Sequence, residues 1–241
     1  MTTSFSRDYF PNTHWSAINN AGNSQSLLLA ETALNELCGD YWFPLYAYAR
    51  DRGTADADAK DLVQSFFFSH FLKKNFLQDL NSEKGRFRAY LLACFKNHSL
   101  NERKRAGRQK RGGGAEHVPI DWATADEKYQ LIAAGAPGRA YDRAWAITLL
   151  ERLREQLSRE MEAEGKGELF KILEPGLTVD RDKFDYRAAA NRLKLKEDAT
   201  RKAAERLRRR YGELICEEIL KTCDPAEVEQ ERRSLLKAFS D

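Results

Sequence analysis

The stretch YRAAANRLKLKEDATRKAAERLRRRY, residues 186–211, decides how this chain is read. Ala189, Ala190, Leu193 and Leu195 supply small apolar packing on either side of a break near Lys194–Lys196. Beyond it, Ala199, Ala203 and Leu207 recur at helical spacing among arginines. The pattern predicts a short helix, a tight turn and a longer basic helix. Small residues let two helices cross closely, which is the packing a helix-turn-helix needs to present its second helix to a major groove. On that helix Thr200, Arg201 and Glu205 are expected at base edges or phosphates, with Arg206 and Arg209 gripping the backbone. The plainer alternative is a solvated, salt-bridged surface helix that happens to be basic.

Upstream, AWAITLLERLREQLSREME (144–162) reads as a long amphipathic helix with Trp145, Leu149, Leu153 and Leu157 on one side. Short helices are expected near Leu169–Leu173 and Phe184–Leu193, the basic helix over Glu197–Thr222, and a last one over Ala226–Phe239. Residues 110–140 hold three consecutive glycines and two prolines with little periodicity, so they read as a linker that Trp122 and Tyr129 could dock. Before it, SLLLAETALNELC (26–38) and YWFPLYAYARDRG (41–53) read as two helices, with Gly53 as a stop and Pro44 in a first turn or at a kink. In DADAKDLVQSFFF (56–68), Thr54 is the expected N-cap and Asp56 and Asp58 sit where the helix dipole favours anions. Ala59, Leu62, Val63, Phe66, Phe67 and His70 turn inward. GRFRAYLLACFKNHSLNERKR (85–105) packs Phe87, Leu91, Cys94 and Phe95 inward on a helix from about Glu83 and ends strongly basic.

The net charge of +3 conceals this asymmetry: Arg103–Arg111 and Arg201–Arg210 are basic blocks in a nearly neutral chain, which points to local polyanion contacts. Aromatics, amides and cations together on residues 87–105 suit unstacked single-stranded bases. Cys38, Cys94, Cys216 and Cys223 are scattered without CxxC spacing and read as small buried hydrophobes. The opening MTTSFSRDYFPNTHW shows no charged region followed by an apolar core, and no apolar run reaches the length of a membrane span. A cytoplasmic protein with no membrane partner is expected. His14, His70, His98 and His117 lack HExxH spacing, and Gly112–Gly114 lacks a phosphate-loop frame, so no metal, no cofactor and no enzyme activity is expected.

In order, DADAKDLVQSFFF, GRFRAYLLACFKNHSLNERKR and YRAAANRLKLKEDATRKAAERLRRRY resemble the polymerase-binding, promoter-melting and helix-turn-helix segments of extracytoplasmic-function sigma factors of bacterial RNA polymerase. With KRGGG, DRAWA and RLRRRY, the chain looks most like the planctomycete group, over roughly residues 25–222. The resemblance implies an all-α fold of two small helical domains joined by a flexible linker: a tail over 1–23, a region 2-like domain over 24–111, a linker over 112–140, a region 4-like helix-turn-helix domain over 141–223 and a C-terminal helical extension over 224–241. It implies that Asp58, Asp61, Leu62 and Gln64 meet the polymerase and that Phe87, Arg88, Tyr90, Asn97, Asn101, Arg103 and Lys104 recognise and melt a minus-10 element. Glu197, Thr200, Arg201, Glu205 and Arg206 would read a minus-35 element.

Implied partners are bacterial core RNA polymerase, promoter DNA and an anti-sigma or other regulatory protein. Two positions depart from the pattern: Lys194 and Asp198 stand where the family often has glycine. Two rival readings are a stand-alone helix-turn-helix transcription regulator, which leaves the acidic Asp58–Gln64 face unexplained, and a helical adaptor whose basic clusters act as general electrostatics.

Overall fold

A computed structural model describes residues 27–72, 87–106, 120, 122–133, 138–221 and 225–239. Among these the chain is all-helical, without strands. Helices are α1 (Leu27–Asp51), α2 (Asp56–Phe67), α3 (Phe87–Ala106), α4 (Ala125–Ala133), α5 (Ala140–Ala163), α6 (Gly167–Leu173), α7 (Tyr186–Leu193), α8 (Glu197–Leu220) and α9 (Val228–Lys237). No helix among the described residues is long and apolar enough to cross a membrane. Two compact units emerge, residues 1–148 with 219–241, and residues 149–218. The unit boundaries fall inside α5 and α8, and the segment expected as a separate C-terminal extension belongs with the first unit. The expected tail over 1–23 and the triple glycine lie outside the described residues.

In the first unit, the single helix Leu27–Asp51 stands where two were expected, with Pro44 in its interior. An internal proline costs a helix roughly 3 kcal/mol. Here Tyr41, Phe43, Leu45, Tyr46, Ala47 and Ala49 around it are all buried, so tertiary packing overrides the local preference. Gly53, at φ 80°, follows the helix as expected. Ala55 rather than Thr54 is the N-cap of α2 and provides no side-chain cap, so Asp56 and Asp58 supply the favourable charge of its first turn. Ala59, Val63, Phe66 and Phe67 bury one face of α2 against Phe95 of α3, whose ring meets Phe66 edge-on at 5.2 Å.

Helix α4 lies inside the segment read as linker. Trp122 and Tyr129 do dock it, onto α1: the Trp122 ring lies 5.1 Å from Trp42, and that of Tyr129 lies 6.3 Å from Tyr46. Arg50 ties three helices together, donating to Asp126 at 2.7 Å and to the Tyr46 hydroxyl at 2.9 Å, with Asp56 at 3.4 Å. Tyr46 in turn donates to Asp56 at 2.6 Å, and this bond, with one from Lys60, holds the Asp56 carboxyl below its usual range.

In the second unit, Leu149, Leu153 and Leu157 of α5, Phe170, Ile172 and Leu173 of α6, and Tyr186, Ala189 and Ala190 of α7 are buried. The inward stripe of α8 is Thr200, Ala203, Ala204, Leu207, Tyr211 and Leu214. Tyr211 donates to the Leu150 carbonyl at 2.8 Å, and Arg210 grips both oxygens of Glu160 at 3.0 Å.

Candidate nucleic-acid interface

The α7–α8 corner is built by capping. Asp185 accepts a hydrogen bond from the Ala188 amide at 2.9 Å, satisfying a free donor at the start of α7. At the other end Lys194 sits at φ 53° and ψ 39°, in the left-handed region, and the Leu195 amide closes back on the Ala190 carbonyl at 3.0 Å. That is the Schellman closure for which glycine is the usual residue. Among the described residues, Lys194 is the one non-glycine residue with positive φ. Leu195, expected to pack between the two helices, is 45% exposed instead. The turn lifts it away from the contact.

Three residues later α8 begins, and its outward face carries Arg201, Lys202, Glu205, Arg206 and Arg209, all exposed. A cleft of about 640 Å³ is lined by Arg181, Lys202, Glu205, Arg206, Arg208 and Arg209, so five of its six lining residues are cations. Arg208 donates from Nε to the Gly176 carbonyl at 2.8 Å, while its buried Nη2 finds no acceptor among the described residues. Such a guanidinium, in a basic concavity, is suited to an anion. Arg181, in the loop before α7, went unnoticed in the sequence, and Arg208 reads there only as one member of a basic block.

The residues expected to read bases divide. Glu205 and Arg206 line the cleft. Arg201 is exposed but held, donating to Glu197 at 2.7 Å and lying 4.3 Å from the Tyr186 ring centre, so two expected readers are each other's partners. Thr200 is a correction. It is fully buried, its hydroxyl donating to the Lys196 carbonyl at 3.2 Å, and it serves packing rather than base contact. Ala199, expected inside, is exposed in its place.

In the first unit, Asn97, Asn101 and Lys104 fall at i, i+4 and i+7 and are exposed along one face of α3, with Arg103 beside them. Leu100, 54% exposed, interrupts this face with an apolar side chain. Tyr48 of α1 is half-buried, with Lys96 and Arg52 at 5.5 and 5.4 Å from its ring, an aromatic surface flanked by cations that the sequence reading missed. Tyr90 is half-buried. Phe87 is a correction: it is 3% exposed and packs edge-on against Tyr41 at 5.3 Å, so it is core. Arg88 is enclosed by Glu231, Asp142 and the Trp145 ring. Its charge is already satisfied within the chain.

On α2, Asp58 and Asp61 are exposed and Leu62 and Gln64 half-buried, giving an acidic face with an apolar edge. Ser65 and His98 join α2 to α3 through a 2.8 Å hydrogen bond, and burial pushes the His98 imidazole down to about 4. The described residues contain no cluster of side chains able to hold a metal ion. No protein-family model, no curated protein and no solved structure matches the chain.

Proposed function

We propose that the chain is a sigma factor that directs bacterial RNA polymerase, in the cytoplasm, to promoters and helps open them. The observation that carries this reading is the α7–turn–α8 corner, where four cations of α8 and Arg181 of the preceding loop gather around one cleft. Taken as a helix-turn-helix, this corner would lay α8 along a major groove, Arg206 and Lys202 on phosphates and Glu205 at a base edge. Phosphate contacts position a protein on DNA but carry little sequence information, so Glu205 and the cleft floor would set what specificity there is.

The second element of the reading is α3. Exposed asparagines next to a cationic helix end suit captured, unstacked bases, and Tyr48 offers a stacking surface beside them. The exposed Asp58 and Asp61, with Leu62, would bind the polymerase, as the resemblance implies. Tethering both DNA contacts to one polymerase makes the second contact effectively intramolecular, so each can be weak alone. Bond-making chemistry stays with the polymerase.

A pull-down of core RNA polymerase tests it. The wild-type chain is expected to capture core enzyme, and an Asp61→Arg, Gln64→Ala double variant to lose it while remaining helical. Wild type that stays unbound, yet binds a palindromic duplex as a dimer, would establish a free helix-turn-helix regulator instead.

A further inference from the structure

Helix α9 is attached to the first unit by little apolar surface. Leu235 and the following Ala238 are its buried apolar residues, while Leu236 is 66% and Phe239 48% exposed. Polar contacts from α3 and α5 also hold it. Glu231, 2% exposed, receives Nε and Nη2 of Arg88, the latter at 3.1 Å. Nη1 of the same guanidinium donates to Asp142, and its plane lies 4.4 Å from the Trp145 ring centre. The Tyr141 hydroxyl donates to the Arg88 carbonyl at 2.8 Å, and Arg143 Nε donates to the Ala238 carbonyl at 3.0 Å.

Arg88 thus lies at the start of the helix whose later turns carry the exposed amides and cations, and α9 occupies it. We propose that α9 is an intramolecular competitor for Arg88: a detachable latch that withholds this cation from nucleic acid while docked and yields it to a DNA phosphate when it leaves. The proposal rests on the reading of α3 as a DNA-contacting helix. Three features favour exchange over a permanent tie. The guanidinium forms the forked pair that a phosphate would also accept. The helix that must leave buries few side chains, which places it among the elements that open locally at low cost. Undocking returns Glu231 and Arg88 to water or to a new partner, so neither is left buried without a counter-charge.

The test is fluorescence-anisotropy binding of a labelled single-stranded oligonucleotide by the full-length chain. Glu231→Gln removes the competing charge, Leu235→Ser loosens the same helix without touching a charge, and Glu229→Gln on the exposed side controls for net charge. The first two are expected to bind about three- to tenfold more tightly, the worth of roughly one added cation–phosphate contact, with Glu229→Gln close to wild type. In an Arg88→Gln background the gain disappears.

Equal or weaker binding by both loosening variants, or a gain that survives Arg88→Gln, overturns the latch. Hydrogen exchange on the wild-type chain guards against variants that fail to fold. Amides of α9 are expected to exchange well before those of α3, and joint exchange with the core overturns the proposal as well. The core-polymerase pull-down separates the two readings. Capture of core enzyme without any gain in DNA binding removes the latch alone. A gain in DNA binding without capture removes the sigma-factor reading and leaves the latch.

Discussion

Replacing Lys194 by glycine should stabilise the second unit. The residue is held at φ 53° and ψ 39°, and its side chain is exposed and takes no part in the closure of α7, which is made by backbone groups. The left-handed region costs an L-residue about 1–2 kcal/mol. Glycine escapes that cost but gives back about 0.5–1 kcal/mol through the greater freedom of its unfolded chain. The net expectation is a gain of about 0.5–1 kcal/mol, equivalent to a rise of roughly 2–8 °C in Tm for a unit of this size. Hydrogen exchange over peptides from residues 186–211, with thermal unfolding followed by circular dichroism, reads it. Lys194→Ala is the discriminating control, because removing the side chain leaves the backbone conformation as costly as before. Lys194→Val should destabilise, since a β-branched residue fits this region worst. A glycine variant no more stable than wild type, or an alanine variant that gains as much as glycine, would refute the strain reasoning.

Gly176→Ala should destabilise the second unit by about 1–3 kcal/mol, because a Cβ there would meet the Phe184 ring at 3.1–3.2 Å; a chemical-denaturation midpoint unchanged from wild type would contradict this. Tyr46→Phe should cost roughly 1.5–3 kcal/mol by removing a hydroxyl that donates to Asp56 and accepts from Arg50. The same variant should raise the Asp56 pKa towards its ordinary value, measured by carboxyl NMR titration. Because the wild-type Asp56 pKa is lowered, its contribution to stability is present above the ordinary carboxylate range and is lost as pH falls through the folded value. His98 acts in a higher window. Its folded pKa of about 4 lies below the ordinary 6.5, mainly through burial, so stability should fall as pH drops from about 6.5 towards 4. The loss is on the order of 3 kcal/mol at its limit, and an unfolding free energy flat across that window would show that His98 is solvated in the fold.

Periodicity made most helices legible, because amphipathic spacing survives without knowledge of what a helix packs against. The Leu149–Leu153–Leu157 ridge and the inward face of α2 are examples. Errors arose where a side chain is ambiguous between phases. Ala199 and Thr200 are neighbours of similar size, and hydropathy favours the alanine as the buried one. Yet Thr200 lies a helical step from Ala203, Ala204 and Leu207, and it satisfies its own hydroxyl on the preceding turn. Pro44 and α4 failed for another reason: composition signals breaks, while the aromatic packing of Trp42, Tyr46, Trp122 and Tyr129 is non-local. The candidate interface was legible as charge but not as pairing. Nothing near Arg88 in the sequence announces that its carboxylate partner is Glu231.

That pairing spans 143 residues, and it has a consequence for biosynthesis. At typical ribosomal rates of about 5–20 residues per second, Glu231 emerges on the order of ten seconds after Arg88. The second unit, encoded between them, is synthesised in the meantime. The first unit therefore begins folding earliest and is completed last, and its final closure is a slow, non-local event rather than a local one. During that interval the nascent chain carries an Arg88 without its Glu231, and the ion pair that closes the first unit forms only once α9 has been made.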